Sequence, residues 1–306
     1  MKLKREKRET FKRKNTVQKN TLSRGPDFEL QANKHLGQHF LRDESVLDGI
    51  VDAANAICTQ KGVPRICIEI GPGEGVLTRK LLAAGWTVQA LEKDVRSVEG
   101  LTQTLQKEFP NTLTIVQTDI LMWDPKHCAP GTVCLGNVPY YITSDILLWF
   151  SKHAEFFSGG LFMVQKEVAD RIPSPSGTKN YGRLSVRMQL MFACQCLFVV
   201  PATAFAPPPK VDSAVISMLP TGFKFANALE DRAFDRLTAT LFSARRKMLR
   251  RGLASTIDSF CRGDFKKEEF LWNELKKIAV FPETRPDAIP PQAILALHRL
   301  LLQMQN

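Results

Sequence analysis

The pattern of apolar and polar positions between residues 44 and 136 alternates between a helical and a strand period. After Asp43, a candidate N-cap, apolar residues recur at helical spacing: Val46, Leu47, Ile50, Val51, Ala54 and Ile57. Helical spacing returns from Val76, and a polar helix is predicted over 95–109. Between the helices, apolar runs typical of strands cover 65–70, 86–91, 113–119 and 132–136. Strands that alternate with helices predict an α/β fold with a parallel sheet.

The pattern changes character near residue 220. Before this point, further strands are predicted over 161–165, 192–200 and 214–219, with a helix over 181–191. After it the spacing is helical, with one apolar stripe at Phe234, Leu237, Leu241, Ala244 and Met248 and a closing helix over 289–301. The predicted organisation is a polar N-terminal arm of residues 1–31, an α/β domain of residues 32–220 and a small all-α domain of residues 221–306.

Composition and charge restrict the class of protein. A chain of 306 residues with 44% hydrophobic composition can bury a core. Of the net charge of +11, residues 1–25 carry +8, so the rest of the chain is nearly neutral. We expect the arm to be disordered alone, and either to attract phosphates or to serve only as a solubilising tail. Two glutamines and four prolines interrupt the uncharged segment 188–209, so no membrane span is expected.

The seven cysteines form no Cys-x-x-Cys pair, and several lie in apolar runs. This distribution predicts reduced, buried thiols rather than disulfides or a zinc site. We therefore expect a cytoplasmic protein without a bound metal.

A glycine-rich turn follows the first long strand. Gly71 and Gly73 come directly after the run that ends at Ile70, and Glu92 ends the next strand about 20 residues later. This is the arrangement of a loop that holds a nucleoside, with a carboxylate on the ribose. The third glycine follows two positions after the second, which departs from the dinucleotide pattern and favours an adenosyl ligand without phosphates. An NAD-dependent oxidoreductase, or an ordinary strand-to-helix turn, remains open at this point.

The tetrapeptide Asn137-Val-Pro-Tyr140 follows the fourth strand and is the candidate catalytic segment. An aromatic amine is a poor nucleophile because its lone pair is delocalised into the ring. An Asn oxygen and a backbone carbonyl can accept both of its N–H groups and stabilise the positive charge that forms. Pro139 fixes the turn, and Tyr140 offers a flat surface for a base. In this hypothesis Phe205, which precedes a triple proline, lies opposite Tyr140. The alternatives are that the tetrapeptide is an ordinary turn at the end of a strand and that Phe205 packs in the core.

Three further side chains are candidates for ligand contact. Asp119 ends the third strand and is able to accept from an adenine amino group, or to serve only as a cap. Gln38 and His39 precede the first helix and are able to reach a ligand, although a lone histidine is more often structural.

Five cations are crowded near residue 248 and are predicted on the same helix as the apolar stripe: Arg245, Arg246, Lys247, Arg250 and Arg251. Because like charges at this spacing repel, an RNA backbone is a better explanation than a solvated helix face.

Together these residues resemble the small-subunit ribosomal RNA adenine dimethyltransferases of the KsgA type, from about Lys34 to the C-terminus. The matching motifs are Gly-Gln-His-Phe-Leu at 37–41, Glu-Ile-Gly-Pro-Gly at 69–73, Gly-Asn-Val-Pro-Tyr at 136–140, Gln-Lys-Glu-Val-Ala at 165–169, Tyr-Gly-Arg-Leu-Ser at 181–185, Pro-Pro-Pro-Lys-Val-Asp-Ser at 207–213 and Phe-Ser-Ala-Arg-Arg-Lys-Met-Leu-Arg at 242–250. The erythromycin-resistance methyltransferases share the front half, but they act on large-subunit RNA and differ in their C-terminal regions.

The resemblance implies a Rossmann-like, class I S-adenosylmethionine-dependent methyltransferase sheet with a small helical RNA-binding domain. It implies S-adenosyl-L-methionine against Gly71 and Gly73, with Glu92 on the ribose and Asp119 at the adenine amino group. Gln38, His39 and Leu41 would close over the cofactor, and Asn137, the Pro139–Tyr140 backbone and Phe205 would hold the target adenine.

By the same resemblance, the substrate is a pair of adjacent adenines in a hairpin loop near the 3′ end of small-subunit rRNA. Each adenine is dimethylated at N6 within a pre-ribosomal particle, and a monomeric enzyme is expected. The alternatives are the erythromycin-resistance activity and a non-catalytic RNA-binding assembly factor. Three positions depart from the family pattern: His39 replaces Asn, Glu74 replaces a small or apolar residue, and Val138 replaces Leu.

Overall fold

The structure is a computed structural model that describes residues 28–33, 37–254, 256–257 and 264–304. Most of the predicted N-terminal arm, residues 1–27, lies outside the described residues.

A seven-stranded mixed sheet forms the centre of the α/β domain. Its strands are β2 (Ile66–Ile70), β3 (Thr87–Glu92), β4 (Leu113–Gln117), β5 (Val133–Asn137), β6 (Gly159–Gln165), β7 (Phe192–Val200) and β9 (Ser213–Pro220), in the order β4-β3-β2-β5-β6-β9-β7. The first five strands in this order are parallel, and β9 is antiparallel to both of its neighbours. The parallel sheet is therefore confirmed, with an antiparallel edge. The strand order reverses between β2 and β5, which is where open α/β sheets bind ligands.

Helices cover both faces of the sheet. They are α1 (Glu44–Lys61), α2 (Val76–Ala83), α3 (Val95–Gln103), α4 (Leu105–Glu108), α5 (Thr143–Lys152), α6 (Lys166–Arg171) and α7 (Arg183–Met191). Asp43 caps α1 by accepting from the amides of Ser45 and Val46, and all six predicted apolar positions of α1 are buried. The single helix predicted over 95–109 is wrong, because the chain breaks at Thr104 (φ −112°, ψ −88°) into α3 and α4.

A short antiparallel ribbon joins two distant segments beside the sheet. β1 (Phe40–Leu41) pairs with β8 (Phe205–Ala206), so that Leu41 lies opposite Phe205 and Phe40 opposite Ala206. The ribbon brings the segment before α1 against the proline-rich loop after β7.

The C-terminal region consists of α8 (Ala228–Ser243), α9 (Leu249–Gly252), α10 (Phe265–Lys277) and α11 (Pro291–Gln303) among the described residues. These helices share one buried cluster with α7, in which Val186 and Leu190 pack beside Phe234 and Leu241. The closing helix predicted over 289–301 is confirmed as α11.

The predicted apolar stripe and basic helix need correction. α8 ends at Ser243, before the stripe reaches Met248, whose side chain is exposed. Leu249 is fully buried instead, and its amide donates to the Thr284 carbonyl, so the chain turns to place it in the core. The five cations consequently lie on a turn and on α9, not on one helix.

No helix of the described residues is long and apolar enough to cross a membrane.

Candidate functional site

A cavity of about 360 Å³ opens at the point where the strand order reverses. Its walls are the carboxyl ends of β2, β3, β5 and β6 and the segment before α1. All of the residues predicted to bind the cofactor or the target base line this cavity, with the exception of Phe205. They are Gln38, His39, Leu41, Gly71, Gly73, Glu92, Asp119, Asn137, Pro139 and Tyr140.

The glycine loop has left-handed backbone at three positions. Gly71, Gly73 and Gly75 have φ of 65°, 57° and 76°, a region that side chains rarely adopt. A Cβ at Gly71 would meet nothing within 4 Å, so a ligand in the cavity can approach this backbone closely. A Cβ at Gly75 would lie 2.5 Å from Leu101 Cδ2, so this glycine serves packing against α3.

Glu92 lies beneath this loop and is bound by backbone amides. Its carboxylate accepts from the amides of Gly73 (3.1 Å), Lys93 (2.7 Å) and Asp94 (2.8 Å). Burial nevertheless raises the pKa of Glu92, because desolvation outweighs these hydrogen bonds. The carboxylate therefore holds the glycine loop in place while it also contacts the cavity.

Asp119 has one of the two roles that were left open for it, that of a cap, and it also lines the cavity. It accepts from the Leu121 amide (3.0 Å) and so caps the short 3₁₀ helix Ile120–Met122. It also pairs with Lys93 (Nζ–Oδ2 2.9 Å), which lowers the pKa of the Asp119 carboxyl. Lys93 lines the cavity as well, and the sequence analysis missed it. Its position directly after Glu92 was the available signal.

The side-chain amide of Asn137 is oriented by the segment before α1. Its Nδ2 donates to the His39 carbonyl (3.1 Å). Since only the nitrogen of the amide can donate, Oδ1 lies on the other side, and none of the described residues donates to it, so it can accept from a ligand. The departure from the family pattern at His39 does not disturb this contact, because the backbone provides it.

His39, not Phe205, is the ring beside Tyr140. The His39 and Tyr140 rings are stacked with centroids 5.9 Å apart, and His39 Nδ1 lies 2.8 Å from the Pro207 carbonyl oxygen. The Tyr140 hydroxyl is 2.6 Å from Ser213 Oγ, which fixes the phenol.

The expected position of Phe205 is wrong. It is 4% exposed and packs in a buried cluster with Leu41 and Val46, because pairing of β8 with β1 turns it into the core.

The Pro139 carbonyl is already occupied. It accepts from the Ile142 amide (3.2 Å) and from Thr143 Oγ1 (3.1 Å), which uses both of its lone pairs. Val138 also lines the cavity, and no described residue donates to its carbonyl. Val138 is therefore the better backbone acceptor for an amine, and the sequence analysis missed it.

Gln38 is engaged with its own loop. Its Nε2 donates to Asp94 (3.0 Å), and its Oε1 accepts from the Asn33 amide (2.9 Å). The structure thus gives Gln38 a role in holding residues 37–43 before α1, the entrance segment, against α3.

Two buried carboxylates complete the wall of the cavity. Glu74, the second departure from the family pattern, pairs with Arg42 (2.6 Å) and accepts from the Leu30 amide (2.8 Å). Glu69 on β2 accepts from Thr78 Oγ1 (2.6 Å), and burial raises the pKa of Glu69 to about 7. Among the described residues, no group of His, Cys, Asp and Glu is arranged to hold a metal ion.

A second cavity, of about 580 Å³, lies between the sheet domain and the C-terminal helices and has a cationic lining: Arg171, Lys179, Arg183 and Arg245. Of the five predicted RNA-binding cations, only Arg245 contacts it. Arg245 also donates to the Lys179 carbonyl (3.0 Å).

Comparison with solved structures identifies the class of fold. The structure is similar to a dimethyladenosine transferase from Plasmodium falciparum, with a TM-score of 0.70 and 27% identity over 85% of this chain and 96% of that one. It is also similar to the 23S rRNA methyltransferase ErmE, with a TM-score of 0.60 and 24% identity over 86% of this chain and all of that one. The fold is the Rossmann-like α/β fold of methyltransferases.

Sequence comparison identifies the family. The ribosomal RNA adenine dimethylase profile matches residues 29–274, so the chain belongs to this family. It is 40% identical to the ribosomal RNA small subunit methyltransferase A of Bordetella avium, over 73% of this chain and 82% of that protein. It is 38% identical to the protein of the same name from Xanthomonas oryzae, over 76% of this chain and 86% of that one.

Proposed function

We propose that the protein uses S-adenosyl-L-methionine to dimethylate N6 of two adjacent adenines in a hairpin loop near the 3′ end of small-subunit rRNA. One observation carries the proposal. The Asn137 amide is fixed by the His39 carbonyl, no described residue donates to its oxygen, and the side chain lines the same cavity as the glycine loop. The relatives named as small-subunit methyltransferases support the choice of substrate.

The residues of the cavity fit the cofactor. Gly71 leaves its backbone open to a ligand, and Glu92 and Asp119 present carboxylate oxygens at the ends of two neighbouring strands. Such oxygens suit ribose hydroxyls and an adenine amino group. The negative charge of Glu74 does not act directly on a cationic ligand, because Arg42 neutralises it.

When bound, the cofactor supplies an electrophilic methyl group on a sulfonium. In the first transfer, Asn137 Oδ1 and the Val138 carbonyl would accept the two N–H groups of the adenine amine; in the second transfer, the monomethylated amine has one N–H left to donate to one of them. They hold the nitrogen so that its lone pair points at the methyl group, and they stabilise the charge that develops on it. The Tyr140 ring supports the face of the base, and Ser213 and His39 hold that ring. The positively charged methylated amine that first forms is acidic and releases its proton to solvent, so no strong base is needed.

The alternative activities are less well supported. The likeness to ErmE is at 24% identity and speaks only for the fold, whereas relatives at about 40% identity are named for the small subunit. An NAD-dependent oxidoreductase would give Asn137 and Tyr140 no role. A non-catalytic assembly factor would not need the fixed amide of Asn137.

The cellular setting is also a proposal. We infer a cytoplasmic monomer that acts on a pre-ribosomal particle, with the cationic lining of the second cavity and the basic segment 245–251 as contacts for the RNA backbone.

The deciding experiment is methyl transfer from isotope-labelled cofactor into small subunits that lack the modification. Mass spectrometry of nuclease fragments should place four methyl groups on two neighbouring adenines. No label in the small-subunit RNA despite cofactor binding would contradict the proposal, and so would label in large-subunit RNA when large subunits are supplied in a parallel assay.

A further inference from the structure

Tyr141 lies at the mouth of the cavity and has no part in the mechanism described above. Its side chain is 59% exposed, although it follows directly on Tyr140 and lines the same cavity. It belongs to none of the buried clusters of the described residues. The core therefore does not explain the presence of an aromatic ring here.

One side of the Tyr141 ring lies against Gly37. It packs along the backbone of Gly37, where an added Cβ would lie 3.3 Å from Tyr141 Cδ1. Gly37 has φ of 60°, which favours a glycine at this contact. One part of the ring is thus supported by the entrance segment, and the rest is open to solvent.

The surroundings of Tyr141 match the chemistry of a nucleotide. Leu121, 38% exposed, lines the same cavity, and Met122 beside it is 84% exposed. Lys93 also lines the cavity, and its exposed side chain pairs with Asp119. An open aromatic ring, apolar neighbours and a cation are the elements that bind an unstacked base and its phosphate.

From this arrangement we propose that Tyr141 is a positioning residue that stacks on the nucleotide next to the adenine in the cavity. The inference rests on the proposed function. A base that enters the cavity remains joined to its neighbours by the RNA backbone, so an adjacent nucleotide must lie at the mouth. Because the two target adenines are adjacent, Tyr141 holds one while the other is methylated.

The test compares Tyr141→Ala with Tyr141→Phe, and uses Val199→Ala as a control. Val199 has a similar exposure (48%) but lies on the edge strand β7, away from the cavity. Stacking on one base is lost in Tyr141→Ala, so KM for unmodified small subunits should rise about 5- to 150-fold. The kcat at saturation and the affinity for S-adenosylhomocysteine should stay near the original values. Tyr141→Phe and Val199→Ala should behave like the unaltered enzyme.

A synthetic hairpin RNA identifies the contact. Replacing one of the two adenines with an abasic nucleotide should weaken binding to the unaltered enzyme by about the factor seen for Tyr141→Ala. The abasic RNA and Tyr141→Ala together should show no further loss. The inference would be overturned if the losses of affinity from Tyr141→Ala and from the abasic nucleotide multiply. It would also be overturned if Tyr141→Ala weakens binding to small subunits but not to the hairpin, because Tyr141 would then contact a ribosomal protein. Inactivity of the unaltered enzyme on small subunits would instead overturn the proposed function.

Discussion

Replacing Gly75 with alanine should separate the packing role of the glycine loop from its binding role. The new Cβ would lie 2.5 Å from Leu101 Cδ2 and 2.6 Å from Leu105 Cδ1, and both leucines are buried. The φ of 76° adds left-handed strain of roughly 1–2 kcal/mol, and overpacking adds roughly 1–3 kcal/mol. We therefore expect Gly75→Ala to lower the free energy of unfolding by about 2–5 kcal/mol.

Gly71→Ala is the matched control in the same loop. Its φ of 65° gives similar backbone strain, but a Cβ there would meet no atom within 4 Å. Gly71→Ala should cost about 1–2 kcal/mol of stability, while it weakens binding of S-adenosylhomocysteine because the Cβ enters the ligand space. Urea unfolding of the two variants measures the first effect, and calorimetric titration measures the second. A Gly75→Ala variant no less stable than Gly71→Ala would refute the packing argument.

Three further predictions follow from the site and the arm. Asn137→Ala should lower kcat by about 10²–10³-fold with little change in cofactor affinity, because it removes one hydrogen-bond acceptor that stabilises the positive charge on the amine. An unchanged rate in single-turnover assays would mean that the amine is activated elsewhere. Burial raises the pKa of Glu69 in the folded protein from 4.5 to about 7, so the folded state favours the protonated carboxyl. The contribution of Glu69 to the free energy of unfolding is therefore fully present below pH 4.5 and is lost as the pH rises through 7. Urea unfolding at pH 5 and pH 8 should show the stability of the unaltered protein falling relative to Glu69→Gln by about 3 kcal/mol, and parallel curves for the two proteins would show that Glu69 does not titrate in this range. Deleting residues 1–25 should make RNA binding less sensitive to salt without changing turnover at saturating substrate, and an identical salt slope would mean that the arm does not contact RNA.

Local sequence signals predicted most of the sheet and its ligand-binding edge. The glycine loop directly follows β2, and Glu92, Asp119 and Asn137 stand at or just after strand ends, so patterns of neighbouring residues predict these positions. The parallel strands then bring all of them to one edge of the sheet. The cap at Asp43 and the buried face of α1 were predictable for the same reason.

The errors arise where distant segments meet. Pairing of Leu41 with Phe205, 164 positions away, buries a ring that local sequence placed at the cavity. The periodicity that favoured Met248 as a core residue could not show that the Thr284 carbonyl binds the next residue and turns the chain. Occupation of the Pro139 carbonyl depends on Thr143 one turn later, a contact that only the three-dimensional turn reveals.

The two-stranded ribbon joins parts of the cavity to which the proposed function assigns different ligands. Phe40 packs against Gly73 in the glycine loop. The neighbouring His39 accepts from the Asn137 side chain through its carbonyl, and its ring Nδ1 lies 2.8 Å from the Pro207 carbonyl oxygen. A shift of the ribbon must therefore disturb both the glycine loop, proposed to bind the methyl donor, and Asn137, proposed to bind the target base. A substitution in this ribbon should therefore change the affinity for the methyl donor and the positioning of the target base together, and not one of them alone.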